Sequence, residues 1–272
     1  MSLSELKREQ QARYLQVMGI QSWVSRTQPS SVVADDTAVN VGTTEDSVVN
    51  AVDTVESAQD TPLVTELDVV TKASDVDVSQ MDWPALQTAV SSCTACVLHE
   101  TRTHTVFGIG DHQAEVMVIG EAPGADEDQH GEPFVGPAGQ LLNNMLLAIG
   151  YKRGQVYIAN ILKCHPPDNR DPKPEEISEC ESYLKRQIAL VKPKVILAVG
   201  GIAAHNLMKV EMPIGKMRGK LYRYSDTPVV VTYHPAYLLR KPSEKAKSWD
   251  DLRLALSILH TTEEGKKSEE TL

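Results

Sequence analysis

The chain has 272 residues, of which 41% are hydrophobic and 24% charged, so it is long enough to bury a core. No run approaches the roughly 18 apolar residues of a membrane span, and the N-terminus lacks the apolar core of a signal peptide, so we expect a cytoplasmic protein without a membrane partner. The formal net charge of -10 argues at first against a nucleic-acid partner, because such affinity comes largely from lysine and arginine.

Residues 1–26 predict a short amphipathic helix. Tyr14 and Met18 fall at helical spacing, and Gly19 suits the position just past a helix end. A helix on a long tether is expected to dock onto a partner, and packing against its own domain is the alternative. The stretch YLQVMGIQSWVSR resembles the N-terminal peptide of the psi subunit of bacterial DNA polymerase III, which implies the clamp-loader complex as a partner.

Residues 27–80 predict an acidic, disordered linker. They hold eleven acidic residues, one basic residue and no aromatic residue, and such a segment buries too little apolar surface to offset its chain entropy. Residues 81–261, in contrast, hold twenty bases and twenty acids. The net charge therefore belongs to the linker and does not exclude a nucleic-acid partner for the rest of the chain.

Residues 81–261 alternate between strands and helices. Short apolar runs predict buried strands at Glu115–Ile119, Val156–Ile161, Val195–Val199 and Val229–Thr232. Helices are predicted at Ala138–Ile149, Pro174–Val191, Ile202–Leu207 and Trp249–His260, and residues 262–272 are predicted to be a disordered tail. The alternation predicts an α/β fold, a three-layer α/β/α sandwich with a mostly parallel central sheet, whose ligands lie beyond the carboxyl ends of the strands.

The four cysteines indicate a metal centre. Cys93 and Cys96 are two residues apart, which allows both thiolates to bind one centre, and Cys164 and Cys180 follow later in the chain. Four thiolates suit either a tetrahedral zinc ion or a [4Fe-4S] cluster. The wide spacing of the second pair favours the cluster slightly, and four unrelated buried thiols remain the alternative.

Residues 118–142 form the most informative stretch of the sequence. After a predicted strand, Gly120 and Gly124 make a tight turn that brings backbone N–H groups close to a ligand. Glu121 lies directly at the strand end and is the carboxylate that we favour for a functional role. Phe134 is one of only two phenylalanines, and its Gly- and Pro-rich loop favours stacking on a planar ligand, with core packing as the alternative.

Later strands are followed by further candidate residues. Asn160 can present a donor and an acceptor to a nucleobase edge, or it can cap the next turn. His234, followed by Pro235, is expected at the mouth of the sheet, where we favour a functional over a structural histidine. The segment from Lys192 to Lys247 contains eleven basic residues and only three acidic residues. This excess of positive charge predicts a phosphate-binding surface beside His234.

Three segments resemble the iron-sulfur (family 4) branch of the uracil-DNA glycosylase superfamily: Glu121 to Gly139, Asn160 to Pro172 and His234 to Arg240, together with the cysteine spacing. The match runs in order over about residues 83–260. It implies a uracil-DNA glycosylase-like fold and a [4Fe-4S] cluster on the four cysteines. The residues that it assigns to a uracil pocket are Gly120, Glu121, Ala122, Phe134, Asn160 and His234.

The resemblance also implies what these residues do. Phe134 is expected to stack on the base, Asn160 to recognise its edge and His234 to contact a uracil carbonyl. The sequence departs from the family pattern at Ala236, where serine is usual, and at His165, where arginine is usual. These departures leave the phosphate contacts open.

Cleavage of the N-glycosidic bond leaves positive charge on the sugar and negative charge on the departing uracil. His234 can stabilise the anion, and a carboxylate can stabilise the cation or orient water, with Glu121 as the first choice and Glu127 as the second. We expect the segment Tyr237–Arg240, including Leu239, to supply a wedge that fills the vacated DNA stack, or else to be a helix start packed on the core. Arg240 and Lys241 are expected to contact DNA beside it.

Together with the candidate residues, the resemblance implies a monomeric, monofunctional uracil-DNA glycosylase of base excision repair, associated with the nucleoid, which flips uracil out of DNA and leaves an abasic site. One alternative is a glycosylase for another deaminated base. Another is a metal-stabilised, non-catalytic DNA-binding adaptor of the replication machinery.

Overall fold

The computed structural model describes residues 77–269 together with residues 12, 13, 15, 16 and 18–20, and for residues 261–269 it describes the backbone alone. The predicted linker, 27–80, lies outside the described residues except for residues 77–80. No helix in the described part of the chain is both long and apolar enough to cross a membrane.

Six strands within residues 77–269 form one sheet. Their bounds are Ile109–Gly110 (β1), Val116–Gly120 (β2), Tyr157–Asn160 (β3), Val195–Val199 (β4), Leu221–Tyr224 (β5) and Thr227–Thr232 (β6). The helices of the same region are Trp83–Ser91 (α1), Ala125–His130 (α2), Pro137–Ala148 (α3), Pro174–Val191 (α4), Gly201–Met208 (α5), Ile214–Met217 (α6), Pro235–Arg240 (α7) and Lys245–Glu269 (α8). Short 3-10 turns occupy Val97–Glu100, Arg153–Gln155, Pro167–Asn169 and Pro242–Glu244.

The strand order of the sheet is β1-β3-β2-β4-β6-β5. The four central strands are parallel, and the edge strands β1 and β5 run antiparallel to their neighbours. The register pairs Gly120 at the end of β2 with Asn160 at the end of β3. The residues that follow these two strands therefore lie side by side at one edge of the sheet.

Apolar side chains cover both faces of the sheet. On one face, Val118 packs with Leu142 of α3 and Leu252 of α8, and on the other face Met117 packs with Ile188 of α4. All five side chains are buried. These two helix layers on a central sheet confirm the predicted three-layer α/β/α sandwich.

The predicted elements of this domain are confirmed, and most boundaries agree within two residues. Helix α8 is the exception, because it begins at Lys245, directly after a 3-10 turn, and extends to Glu269 into the segment predicted as a disordered tail. Strands β1 and β5 were not predicted. β1 has only two residues, and β5 alternates between exposed and partly buried positions and so lacks an apolar run.

The described N-terminal residues pack on the same domain. Residues 12, 13, 15 and 16 are helical, and the chain then turns, with the Gly19 N–H donating to Gln16 O at 2.8 Å. Met18 is fully buried in the cluster that contains Leu142 and Leu252, and Ile20 packs against that cluster. These residues therefore dock on their own domain, which is the alternative that the sequence left open.

Candidate active site

A pocket of about 500 Å³ opens at the carboxyl ends of the parallel strands, where ligands of such sheets bind. Its walls come from the segments that follow β2, β3 and β6. The predicted residues that line it are Glu121, Ala122, Glu127, Phe134, Asn160, His234 and Arg240. The fold thus brings together side chains from three separate parts of the sequence.

Asn160 provides an unsatisfied acceptor in the pocket. It is the last residue of β3 and is only 1% exposed, and its Oδ1 has no hydrogen-bond partner among the described residues. An unpaired buried polar atom costs roughly 1–3 kcal/mol, which a ligand N–H can recover. Gly120 lies against it, since a Cβ at Gly120 would overlap Asn160 Oδ1 and lie 2.7 Å from Phe134 Cζ.

Phe134 is held in a conformation that phenylalanine rarely adopts. Its φ is +54°, and its side chain is buried. Two contacts fix the backbone there. Gly139 lies so close that a Cβ would overlap the Phe134 carbonyl, and Arg153 donates from Nη1 to that carbonyl at 3.2 Å and from Nη2 to Pro133 O. These contacts hold the strained backbone from which the Phe134 ring lines the pocket.

The imidazole of His234 lines the pocket, where burial favours its neutral form. It caps helix α7, where the Ala236 N–H donates to His234 Nδ1 at 3.2 Å. Desolvation lowers the pKa of His234 from 6.5 to about 4, and the positive charge of Arg240 adds to this shift. Because Nδ1 accepts, the proton of the neutral ring lies on Nε2, which can donate to a ligand oxygen.

Glu121 follows β2 and has a carboxyl group with a raised pKa. Burial raises the pKa of Glu121 from 4.5 to about 7, and the nearby carboxylate of Asp171 adds to the shift. Both residues line the pocket. A group that titrates near neutral pH in such a pocket is suited to proton transfer or to orienting water.

The carboxylate of Glu127 is occupied by backbone donors. Its Oε2 accepts from Gly124 N at 3.0 Å, and its Oε1 accepts from Val135 N at 2.9 Å and from Gly136 N at 3.2 Å. These bonds tie the turn after β2 to the loop that carries Phe134. Glu127 therefore organises two walls of the pocket, whereas no such bonds engage Glu121 in the described structure.

The four predicted cysteines line a second cavity, together with Arg102 and Lys163. None of these cysteines, Cys93, Cys96, Cys164 and Cys180, forms a disulfide in the described structure. Arg102 donates from Nη1 to Cys164 Sγ at 3.2 Å, and the Lys163 N–H lies 3.4 Å from Cys180 Sγ. Ala122 of the pocket packs against the apolar cluster around this cavity, so the two sites are neighbours.

The donor set of this cavity fits a thiolate-ligated metal centre. Burial raises the pKa of Cys164 and of Cys180, the latter to about 12, so thiolates there require a compensating cation. Arg102 and Lys163 supply donors to the sulfur atoms, as expected around metal-bound thiolates. Within the described residues, however, no three His, Cys, Asp or Glu side chains already converge as a closed metal site.

Comparison of the sequence with known protein families identifies a family for the region that forms this pocket. The family model of the uracil DNA glycosylase superfamily matches residues 107–253, which is more than half of the chain. The chain belongs to the uracil-DNA glycosylase superfamily. The matched region contains every residue of the pocket described above.

Several relatives in this superfamily are named type-4 uracil-DNA glycosylase. The relative from Archaeoglobus fulgidus is 45% identical over 172 residues, covering 60% of this chain and 86% of its own length. The relative from Pyrobaculum aerophilum is 42% identical over 182 residues, covering 64% of this chain and 93% of its own length. The relative from Thermotoga maritima is 42% identical over 174 residues, covering 62% and 91%.

In this member of the superfamily, helix α7 lies beside the pocket. Two adjacent leucines of this helix differ in their exposure to solvent. Leu238 is fully buried in the core, whereas Leu239 is 44% exposed. Arg240 lines the pocket, and Lys241 is exposed just after the helix. Leu239 and Lys241 are thus the exposed neighbours, along the chain, of a residue that lines the pocket.

The sequence did not reveal every residue that shapes this superfamily site. Asp171 lines the pocket, and Arg170 beside it is held by Glu176, with Nη1 donating to Oε2 at 2.9 Å. Their loop follows β3, so its position at a strand end was the available signal. Arg153 gave no such signal, because its role depends on a contact with the loop of Phe134 that only the folded chain makes.

Proposed function

We propose that this chain is a uracil-DNA glycosylase, which flips uracil out of DNA and hydrolyses its N-glycosidic bond to leave an abasic site. The observation that carries the proposal is the buried Oδ1 of Asn160, an acceptor without a partner among the described residues, beside the Phe134 ring. Membership of the superfamily and the names of the relatives support it.

Asn160 selects uracil by its hydrogen-bonding pattern. Its Oδ1 accepts from the N3–H of uracil, and its amide group donates to O4. Cytosine has no N3–H and carries an amino group in place of O4, so it would leave two buried groups unpaired. The face of Phe134 stacks on the extruded base.

His234 stabilises the departing base. Its Nε2–H donates to uracil O2, where negative charge develops as the glycosidic bond breaks. A neutral imidazole suits this role, since the lowered pKa keeps the ring unprotonated throughout the neutral range. The donor is fixed in advance by the Ala236 N–H bond to Nδ1, so it does not reorganise during the reaction.

Glu121 acts on the sugar side of the reaction. As a carboxylate it stabilises the positive charge on the sugar and orients the attacking water. Glu127, whose oxygens already accept three backbone N–H groups, acts as a positioning residue for the turn and for Phe134.

The DNA surface lies at the rim of the pocket. Arg240 and Lys241 contact phosphates, and Leu239 fills the stack that the flipped nucleotide leaves. Unpairing costs a few kcal/mol, which such a wedge offsets in a duplex.

The cavity lined by Cys93, Cys96, Cys164 and Cys180 holds a [4Fe-4S] cluster in our proposal. When bound, the cluster would cross-link the segment after α1, the segment after β3 and helix α4. Zinc is the alternative centre. Anaerobically purified protein that is brown and contains equimolar iron and acid-labile sulfide supports the cluster, whereas colourless protein with stoichiometric zinc would overturn it.

We propose the clamp-loader complex as the partner of residues 1–26. Because Met18 is buried in the core, such a partner must compete with the domain for this segment. Capture of the clamp loader by the full chain, but not by a chain lacking residues 1–26, tests this proposal. We also propose a monomer near the nucleoid in the cytoplasm, since one chain supplies the pocket side chains.

The activity is tested with end-labelled oligonucleotides that carry a single uracil, thymine, cytosine or hypoxanthine. Alkali-dependent cleavage at uracil alone supports the proposal. Cleavage at hypoxanthine in preference to uracil would favour a glycosylase for another deaminated base. DNA binding without cleavage at any base would favour the adaptor function.

A further inference from the structure

Lys163 is a buried lysine that lies between the pocket and the cysteine cavity. It is 1% exposed. Its Nζ donates to Asn160 O at 2.9 Å and to Gln187 Oε1 at 2.6 Å. The backbone N–H of the same residue faces Cys180 Sγ at 3.4 Å, and the residue lines the cysteine cavity.

The charge of Lys163 has no carboxylate partner in the described part of the chain. None of the ion pairs there includes it, and both acceptors of Nζ are neutral oxygens. Burial of an ammonium group is costly unless an opposite charge lies nearby. The neighbouring thiols are the groups that can supply one, because four thiolates around a cluster leave net negative charge.

The hydrogen bonds of Lys163 also fix the backbone at the end of β3. Asn160 presents its side chain to the pocket, and its carbonyl accepts from Lys163 Nζ. Gln187 holds Nζ from helix α4 and is itself anchored by donating from Nε2 to Phe107 O at 2.8 Å and to Tyr157 Oη at 3.1 Å. The ammonium is therefore held at one place between strand β3 and helix α4.

We propose that Lys163 is a positioning residue that couples the two sites: its charge offsets the negative charge of the metal-bound thiolates, and its hydrogen bond sets the backbone from which Asn160 recognises the base. This inference rests on the proposed function, because it requires both a thiolate-ligated cluster and a base in the pocket. It adds a link between them, through which the cysteine site orders the pocket.

A double-mutant cycle tests the link to Asn160. Lys163→Met keeps an unbranched apolar side chain but removes the charge and the donor. We expect it to slow single-turnover excision from a uracil-containing single strand by about 10- to 100-fold, because small displacements of a positioned group have effects of this size. In an Asn160→Ala background the same change is expected to slow excision less than about threefold, since the positioned side chain is absent.

The second readout is the cluster itself. A nearby positive charge stabilises the more negative, reduced cluster, so Lys163→Met is expected to shift the reduction potential to more negative values at unchanged iron and sulfide content. Lys185→Met, which removes an exposed lysine of helix α4, serves as the matched control and is expected to change neither the potential nor the rate. Lys163→Gln, which removes the charge but keeps a polar amide, replaces Lys163→Met if that protein does not fold, and is expected to shift the potential in the same direction.

The outcomes separate this inference from the proposed function. Wild-type protein that does not excise uracil would overturn the proposed function and the inference with it. Wild-type protein that excises uracil but contains no cluster would overturn the inference. Wild-type protein that excises uracil and contains a cluster, combined with an unchanged potential in the Lys163 variants or an equal slowing in both Asn160 backgrounds, would overturn the inference alone.

Discussion

The ring of Phe134 lies against the imidazole of His234, with centroids 5.6 Å apart and planes inclined by 30°. This contact removes water from one side of the imidazole, and desolvation is the main cause of the lowered pKa of His234. Phe134 thus has two roles in our account. It stacks on the base, and it keeps the neighbouring donor in its neutral form.

Replacement of Phe134 by alanine is expected to return water to His234. The pKa of His234 should then rise from about 4 towards its ordinary value of 6.5, because the charged form is no longer desolvated. NMR titration of the His234 ring measures this directly, with wild-type protein as the reference. An unchanged pKa would show that Phe134 does not desolvate the ring.

Asn160→Ala is expected to lower the activity without lowering the stability of the fold. Loss of the amide should lower single-turnover excision by on the order of 10²-fold or more, as removal of a preorganised polar group does in other enzymes. The melting temperature should not fall, because the variant removes a buried acceptor that has no partner in the described structure. Near wild-type excision would contradict the role of Asn160, and a large loss of stability would contradict its unpaired state.

Gly120→Ala is expected to close the pocket. The added Cβ would lie 2.7 Å from Phe134 Cζ and overlap Asn160 Oδ1, so base binding and excision should fall by about 100-fold or more. Gly154→Ala is the matched control, since a Cβ there meets no atom within 4 Å. Equal activity of the two variants would show that the contact at Gly120 does not shape the pocket.

The rate should depend on the ionisation of Glu121. With a pKa of about 7, the reactive carboxylate forms as the pH rises, so kcat/KM should be about half-maximal near pH 7 and level off above about pH 8. His234, with a pKa of about 4, adds no transition in this range. Glu121→Gln should be slower and should lack the transition near pH 7. A transition that persists in this variant would assign it to another group.

The two adjacent leucines of α7 should respond in opposite ways. Leu239→Ala should slow excision from duplex DNA by about tenfold more than excision from a single strand, because only the duplex has a stack to fill. Leu238→Ala should instead lower the free energy of unfolding by about 2–5 kcal/mol, since Leu238 is fully buried. Equal effects of Leu239→Ala on both substrates would contradict the proposed role of Leu239 as a wedge.

The site residues that follow strands could be predicted from the sequence, because the strands of the central sheet are parallel. Glu121, Asn160 and His234 each lie at or just after a strand end, and the carboxyl ends of parallel strands meet at one edge. Their approach in space thus follows from the fold class alone. The four cysteines were likewise grouped from their residue type and spacing, and they line one cavity.

The remaining features depend on contacts that no local pattern encodes. Glu127 was a candidate catalytic carboxylate in the sequence, but only closure of the Phe134 loop brings Val135 N and Gly136 N to its oxygens. The raised pKa of Glu121 depends on burial in the folded pocket and then on Asp171, which lies in a different loop. Burial of Met18 likewise depends on core residues such as Leu142 and Leu252, which lie far along the chain.

The most direct test of the central claim is to quantify the free base released from a uracil-containing oligonucleotide. We expect the wild-type protein to release one free uracil for each abasic site and no thymine from a matched control strand. We also expect Asn160→Ala to release uracil at least about 100 times more slowly. Absence of free uracil, or equal release by the wild type and the variant, would contradict the account.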